Sequence, residues 1–164
     1  MSVAAEKILP AEQSLASVGK LKAIGRRIVF TNGCFDLLHP GHTRYLAEAK
    51  KLGDVLVVAV NSDRSARELK GPGRPIQKEN ERAEILAALA VVDVVTIFDD
   101  RTPRLLIARM LPDVLVKGGD WALSEIIGRE EVEAAGGRAV AIPVSPGFST
   151  SRLIETVVER FESP

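Results

Sequence analysis

The apolar segment that spans residues 54–60 constrains the fold of this chain more than any other stretch. After Asp54 it contains only valine, leucine and alanine. Because alternate side chains of a strand point to opposite faces, a strand without polar alternation is buried on both faces. Such strands belong to parallel sheets that are covered by helices on both sides. The segment therefore predicts an α/β fold.

Other short apolar segments alternate with helical patterns along the chain. The predicted strands are 28–30, 54–60, 91–98, 114–117 and 138–142, and the predicted helices are 11–24, 40–51, 79–90, one from 102 onward, 124–135, and a last one with the apolar face Leu153, Ile154, Val157, Val158 and Phe161. This alternation predicts right-handed crossovers and a doubly wound parallel sheet. We expect residues 1 to about 10 to be loose and residues 61–75 to form a long polar loop.

The domain organisation predicted from this pattern is simple. We divide the chain into an N-terminal segment and helix, residues 1–25, and one domain, residues 26–164.

Composition excludes several classes of protein. The formal net charge is zero, with 22 basic and 22 acidic residues, which argues against a nucleic-acid binder. No apolar run is long enough to span a bilayer, and the N-terminus does not resemble a secretory signal. We therefore expect a cytoplasmic protein with no membrane partner. The single cysteine, Cys34, excludes an internal disulfide, and we expect it to be a small buried side chain rather than a nucleophile.

The candidate active site is the segment 31–42, which reads TNGCFDLLHPGH. It contains both histidines of the chain, His39 and His42. Pro40 suits the first position of a helix, whose free N–H groups and dipole attract anions. Gly41 allows close backbone approach, and the residue before a proline is extended, which turns His39 away from the helix axis. The segment predicts two imidazoles beside one anion site.

Three further polar segments follow predicted strands. Ligands of open α/β sheets collect at the carboxyl ends of strands, so the segments 61–75, 117–121 and 143–151 are candidates as well as 31–42. In the last of them, Ser149-Thr150-Ser151 opens a helix and offers hydroxyl donors to phosphate. Asp120 could accept hydrogen bonds from a sugar or base, whereas Trp121 suits a ligand contact and a lid over the core equally well.

The block Gly33–His42 resembles the signature of the cytidylyltransferase-like nucleotidyltransferases, whose hallmark is His-x-Gly-His after the first strand. Within that superfamily the chain is most similar to the D-glycero-β-D-manno-heptose 1-phosphate adenylyltransferases, the nucleotidyltransferase half of bifunctional heptose kinase/adenylyltransferases. The likeness extends from about Arg26 to Phe161 and includes the sequence KGGDW at 117–121. It implies a Rossmann-like cytidylyltransferase fold.

The resemblance also implies three groups of site residues. The catalytic group is His39, His42 and Lys70; the nucleotide-binding group is Thr31, Asn32, Gly33, Phe35, Gly41, Gly119, Ser149 and Thr150; and the substrate-binding group is Asp36, Arg74, Asp120 and Trp121. Arg82 falls where related enzymes have an arginine near the phosphates, although an outward-facing surface arginine is equally compatible. We expect Mg²⁺ to be carried mainly by the nucleotide phosphates, without a metal site on the protein.

The reaction implied is transfer of AMP from ATP to heptose 1-phosphate, which yields ADP-heptose for lipopolysaccharide core synthesis. A homodimer and a separate heptose kinase are the expected partners. One alternative is a cytidylyltransferase that acts on glycerol 3-phosphate. That family carries an arginine shortly before the serine-threonine motif, where this chain has PVSP at 143–146. The other alternative is a catalytically idle nucleotide-binding module.

Overall fold

A parallel sheet of five strands forms the centre of the molecule. The computed structural model describes residues 3–119, 121–143 and 146–162. The strands are β1 (Ile28–Gly33), β2 (Val55–Asn61), β3 (Val94–Phe98), β4 (Val114–Gly118) and β5 (Arg138–Ile142). Their order across the sheet is β3-β2-β1-β4-β5, and every neighbouring pair is parallel. The predicted doubly wound parallel sheet is confirmed.

Helices cover both faces of this sheet. They are α1 (Val3–Lys7), α2 (Ala11–Ala23), α3 (Pro40–Lys50), α4 (Asp63–Lys70), α5 (Glu79–Ala87), α6 (Arg104–Met110), α7 (Arg129–Ala134) and α8 (Thr150–Glu162), with a short 3₁₀ helix at Leu123–Glu125. None of the helices among the described residues is long and apolar enough to cross a membrane.

The core consists of two apolar layers, one on each face of the sheet. In β2, Leu56 and Val58 point into the layer shared with α3 and α5, while Val55 and Val57 point into the layer shared with α2, α6 and α7. Every residue of β2 is buried. The absence of polar alternation in its sequence therefore reflects burial on both faces, as predicted.

The segment 61–75 is not the long loop that the sequence predicts. Its first half forms α4, because the Ser62 hydroxyl accepts a hydrogen bond from the Ser65 N–H and caps the helix. Only the remainder, from Gly71 onward, is irregular up to α5. The glycines and prolines of that second half indicate a loop, and the sequence prediction extended that loop over the short polar helix before them.

Two other predictions are wrong in detail. Within the first ten residues, Val3–Lys7 is helical and the Leu9 N–H donates to the Val95 carbonyl at 2.9 Å, so this segment is joined to β3 rather than loose. The predicted helix 124–135 is broken at Gly128, which adopts a φ of +89° between the 3₁₀ helix and α7.

The last helix has the predicted apolar face, but that face is not packed in the core. Leu153, Val157, Val158 and Phe161 are all exposed, and Phe161 is 84% exposed. The first turn of α8 nevertheless reaches the sheet's ligand-binding edge, since the Thr150 hydroxyl donates to the Leu37 carbonyl at 3.2 Å.

Substitutions at Gly128 and Gly136 measure two destabilising effects of an added side chain, backbone strain and steric overlap, separately. Both have a left-handed φ, +89° and +86°, but a Cβ at Gly128 would lie 2.7 Å from Ile107 Cγ2, whereas a Cβ at Gly136 meets nothing within 4 Å. We expect Gly136→Ala to lower the free energy of unfolding by about 1 kcal/mol. Gly128→Ala should cost roughly a further 1–3 kcal/mol, because the Ile107 side chain must move. Urea unfolding of both variants measures the difference, and equal losses would contradict it.

Candidate active site

The candidate site lies at the carboxyl ends of β1 and β4. These strands are neighbours, although β2 and β3 come between them in the chain. The order of strands reverses at this point, and doubly wound sheets bind ligands in the crevice that the reversal creates. A cavity of about 410 Å³ opens there.

Four separate segments of chain contribute to this cavity, which we call the first cavity. Of the predicted site residues, its lining includes Asn32, Gly33, Phe35, Asp36, His39, Gly41, His42, Lys70, Arg74, Trp121, Ser149 and Thr150. Thr31 and Gly119 are described but do not line it. Asp120 lies outside the described residues, as do positions 144 and 145 of the segment that lacks the cytidylyltransferase arginine.

The two imidazoles form a stacked pair at the start of α3. His39 is the extended residue before Pro40, with φ −141° and ψ 166°, and His42 lies one turn further on. Their ring centroids are 3.8 Å apart. Gly41 permits this arrangement, because a Cβ there would lie 3.0 Å from the His39 ring and 3.1 Å from Phe148 Cβ. The predicted helix start at Pro40 and the extended conformation of His39 are confirmed, while the anion site stays a prediction.

Burial disfavours the charged form of both histidines. It lowers the pKa of His42 to about 4, with a smaller contribution from His39. Burial also lowers the pKa of His39, although a backbone hydrogen bond opposes this effect. Both Nδ1 atoms are buried and have no hydrogen-bond partner among the described residues. At neutral pH the pair can therefore act through N–H donation rather than through formal charge.

Three cations line the first cavity together with the imidazoles. Lys70 ends α4, Arg74 follows it, and Lys117 is the fourth residue of β4. Within the described part of the chain, Arg74 alone of the three has a carboxylate partner, since its Nε donates to Asp36 Oδ2 at 2.5 Å. The cavity is thus electropositive, as an anion-binding site requires.

Asp36 acts within the protein rather than pointing freely into the cavity. It is 2% exposed, and its carboxylate accepts bonds from the Arg74 side chain and from the N–H groups of Ile76 and Gln77. Burial by itself would raise the pKa of Asp36, but these hydrogen bonds outweigh burial and lower it. Asp36 therefore ties the segment after α4 to the β1–α3 loop. Its predicted contact with substrate stays a prediction.

Arg82 corrects both expectations that the sequence allowed. It is 1% exposed and does not line the first cavity, so it is neither a surface arginine nor a phosphate ligand there. Its guanidinium donates to the carbonyls of Gln77 and Cys34 and to the Asp63 carboxylate, at 3.0, 2.5 and 2.8 Å. It joins α4, α5 and the β1–α3 loop beneath the site.

The hydroxyls at the start of α8 are partly engaged. Ser149 Oγ accepts the Arg152 N–H at 3.1 Å, which makes it the helix cap, while its own proton has no acceptor among the residues that the structure describes. Thr150 donates its proton to Leu37. Among these residues, Ser149 is thus the better placed to bind phosphate.

Trp121 is not a lid over the core. Its side chain is 46% exposed, its Nε1 donates to the Gly118 carbonyl at 3.1 Å, and the Lys117 ammonium lies 5.9 Å from its ring centroid. Gly119, with a φ of +123°, allows the indole to fold back, since a Cβ there would lie 2.9 Å from Trp121 Nε1.

Two residues differ from their expected environment. Thr31 lies below the cavity, fully buried, and its hydroxyl is 2.6 Å from that of Tyr45. Cys34 is only half-buried and lines the cavity, where burial raises the pKa of its thiol. A raised pKa disfavours the thiolate, which agrees with the expectation that Cys34 is not a nucleophile.

Sequence reasoning did not include Lys117 or Phe148 among the site residues. Both line the first cavity. Lys117 could have been found by the rule used for the other loops, because it stands at the carboxyl end of a predicted strand. Phe148 gave no such signal, since its position beside His39, with ring centroids 6.3 Å apart, depends on how α8 approaches α3.

The side chains at this site do not fit a Mg²⁺ ion held by the protein. Magnesium requires oxygen ligands, but the one described carboxylate of the lining, Asp36, is occupied by Arg74 and two backbone N–H groups. The described residues contain no group of three histidine, cysteine or acidic side chains that could hold a metal.

The strand order and the anion site at the strand reversal define an α/β nucleotide-binding domain. The chain belongs to the cytidylyltransferase-like family, which matches residues 30–156. This membership confirms that the chain is a nucleotidyltransferase.

Two similar proteins are both named bifunctional protein HldE. The chain is 55% identical over 153 residues to the protein from Koribacter versatilis and 52% identical over 138 residues to that from Syntrophotalea carbinolica. The alignments cover 93% and 84% of this chain but only 32% and 28% of those proteins. The chain therefore spans about a third of the length of the curated relatives it matches. The identity over most of this chain confirms the predicted resemblance.

Solved structures show the same fold. A protein from Thermoplasma volcanium described as a lipopolysaccharide core biosynthesis protein is 32% identical, with a TM-score of 0.61 over 74% of this chain and 98% of that one. The pantoate-β-alanine ligase of Francisella tularensis, solved with a form of ATP and β-alanine, has a TM-score of 0.62 over 94% of this chain and 77% of its own. At 16% identity, this second likeness concerns the fold alone.

The depressed pKa of His42 predicts a pH-dependent stability. The unfolded histidine titrates near 6.5 and the folded one at about 4, so between these values only the unfolded state binds the proton. Stability should therefore fall as the pH decreases through this window. His42→Asn should show a smaller loss than the unchanged protein between about pH 7 and about pH 5, measured by urea unfolding without phosphate. Identical losses would contradict this explanation.

Proposed function

We propose that this chain transfers AMP from ATP to D-glycero-β-D-manno-heptose 1-phosphate and releases pyrophosphate. The observation that carries the proposal is the stacked His39–His42 pair, which lies in one electropositive cavity with the starts of α3 and α8. The names of the relatives, HldE and lipopolysaccharide core biosynthesis protein, favour a heptose phosphate as the acceptor.

The reaction needs positioning and charge stabilisation rather than a covalent intermediate. A phosphate oxygen of the acceptor attacks the α-phosphorus of ATP and forms the new P–O bond. The bond from that phosphorus to the oxygen bridging to the β-phosphorus breaks, and the electron pair leaves with pyrophosphate. The acceptor phosphate is largely ionised at neutral pH, so no general base is required.

The neutral imidazoles of His39 and His42 donate hydrogen bonds to the phosphates during this step. Lys70 and the free N–H groups at the start of α3 stabilise the charge that develops in the transition state. Ser149 donates from the start of α8. These roles agree with burial of the imidazoles, because a donor in a site of low dielectric stabilises charge more strongly than one in water.

The remaining predicted residues position the ligands. Asp36 acts on the substrate through Arg74, whose guanidinium it holds at the cavity wall. Thr31 shapes the pocket from below through Tyr45. Gly119 allows the Trp121 ring to face the ligand. Asp120 is proposed as a partner of sugar or base hydroxyl and amino groups on the strength of the resemblance.

The setting of the reaction follows from its substrates. Mg²⁺ arrives with the nucleotide phosphates. A heptose kinase supplies the phosphorylated sugar, and we expect both steps to occur in the cytoplasm, where ATP is available.

Pyrophosphate release with four substrate pairings tests this function. Heptose 1-phosphate and glycerol 3-phosphate are each offered with ATP and with CTP, in the presence of Mg²⁺. We expect turnover with ATP and heptose 1-phosphate only. His42→Ala should lower kcat by about 10²–10³-fold, the usual effect of removing a transition-state hydrogen-bond donor.

Lys51→Ala is the matched control, because this exposed lysine follows the far end of the same helix. It should leave kcat unchanged. Turnover with CTP and glycerol 3-phosphate would place the chain among the glycerol-phosphate cytidylyltransferases instead. Nucleotide binding without any turnover, unaffected by His42→Ala, would favour the idle binding module.

We also propose that the protein is a homodimer that buries the apolar face of α8. The exposed residues Leu153, Val157 and Phe161 form a continuous stripe along one helix, which a two-fold axis can pair with itself. Val157→Glu should convert the dimer to a monomer in sedimentation velocity, because it places a charge in an apolar contact. Glu155→Ala, on the polar face, should not. A monomeric parent protein would refute the dimer.

A further inference from the structure

A second cavity adjoins the first. Its volume is about 370 Å³. The two cavities share a wall, which is formed by Asn32, Gly33, Cys34, Lys70, Lys117 and Trp121. Beyond this wall the second cavity extends between the ends of β2 and β4, the start of α6 and the 3₁₀ helix. Two ligands that react with each other can therefore bind in neighbouring cavities and contact the same six residues.

Lys117 is the exceptional residue of this wall. Its side chain is half-buried, yet its ammonium has no hydrogen bond or ion pair with any described residue. Other partly buried cations are paired: Arg74 with Asp36, Arg82 with Asp63 and Lys50 with Asp93. The Trp121 ring, 5.9 Å from the ammonium, carries no formal charge, so an anionic ligand at this position would be stabilised by the half-buried Lys117.

The two cavities differ in the ligand chemistry that they suit. The first cavity, unlike the second, is lined by the imidazole pair, the start of α8 and Phe148. The imidazoles and the helix start offer hydrogen-bond donors to a triphosphate, and Phe148 offers an aromatic contact to a base. The second cavity is lined largely by apolar side chains such as Leu69, Ile126 and Ile127. The polar side chains of Arg101, Thr102 and Glu125 stand among them, so the cavity offers apolar contacts to the carbon face of a sugar and donors and acceptors to its hydroxyls. Lys70 and Lys117 lie between the two cavities.

We propose that the second cavity holds the sugar of the acceptor and that Lys117, together with Lys70, binds the acceptor phosphate at the shared wall. In-line attack requires the acceptor oxygen to approach the α-phosphorus opposite the departing pyrophosphate. A lysine in the wall between the cavities can hold that phosphate while the first cavity holds the nucleotide. The inference rests on the proposed function, because it assigns the second substrate of the same reaction.

Steady-state kinetics of Lys117→Met test this role. Methionine keeps an unbranched side chain that lacks only the terminal atom, and it removes the charge. We expect the KM for heptose 1-phosphate to rise by about tenfold or more and the KM for ATP to change little, because a charge-assisted hydrogen bond is lost on one substrate only. Lys117→Arg should restore most of the acceptor affinity. A rise in the KM for ATP alone, or no change in either KM, would overturn the assignment.

Lys20→Met is the matched control, since Lys20 is an exposed lysine on α2 away from both cavities. It should leave both KM values unchanged. If Lys117→Met is destabilised in thermal unfolding, Lys117→Gln replaces it, and the same separation between the two KM values is expected.

A binding measurement distinguishes failure of this inference from failure of the proposed function. Calorimetry with inorganic phosphate, in the presence of saturating α,β-methylene ATP, reports on the acceptor phosphate position without any sugar. We expect Lys117→Met to weaken phosphate binding about tenfold or more and to bind the ATP analogue normally. Unchanged phosphate binding would refute the role of Lys117. Phosphate binding that depends on Lys117, without turnover of heptose 1-phosphate, would refute the proposed sugar but retain this site.

Placement of the sugar is tested separately by Ile127→Trp. Of the two adjoining cavities, Ile127 lines the second and not the first, so the larger side chain reduces the space in the second. The KM for heptose 1-phosphate should rise while binding of inorganic phosphate stays normal. An unchanged KM for the sugar phosphate would show that the second cavity is not its site.

Discussion

A hydrogen-bonded link beneath the cavity holds the site together. The hydroxyls of Thr31 on β1 and Tyr45 on α3 are 2.6 Å apart, and the Tyr45 hydroxyl donates to the Val116 carbonyl on β4 at 3.3 Å. Burial raises the pKa of Tyr45 to about 12, so the phenol keeps its proton. Since His42 lies one turn before Tyr45, this link positions the imidazoles over the two strands between which the sheet order reverses.

Some charged side chains around this link hold the protein together, and others are available to bind a ligand. Arg82 and Arg74 are satisfied by Asp63 and Asp36 and connect the segments that follow β1 and β2. Burial lowers the pKa of both histidines and so disfavours their charged form. The same polar segments therefore contain both rigid supports and donors left for a ligand, as expected where a preorganised site must stabilise developing charge.

Particular residues show how far sequence reasoning could go. Val55–Val60 predicts a doubly buried strand because its pattern is local, and Pro40 predicts the start of α3 for the same reason. The helix after Ser62 was missed, although its cap was readable, because glycine and proline follow so closely. Arg82 could not be placed, since two of its acceptors, Asp63 and Cys34, lie 19 and 48 residues away in the chain.

The sequence by itself determined the alternation of strands and helices, the His-x-Gly-His helix start and the family. These depend on side-chain periodicity and backbone preferences within a few residues. Only the tertiary structure decided that Asp36 is an internal anchor, that Trp121 is exposed, and that Lys117 lines two adjoining cavities. Such properties depend on which segments meet at the carboxyl ends of the strands, and a pattern confined to one segment cannot specify its neighbours.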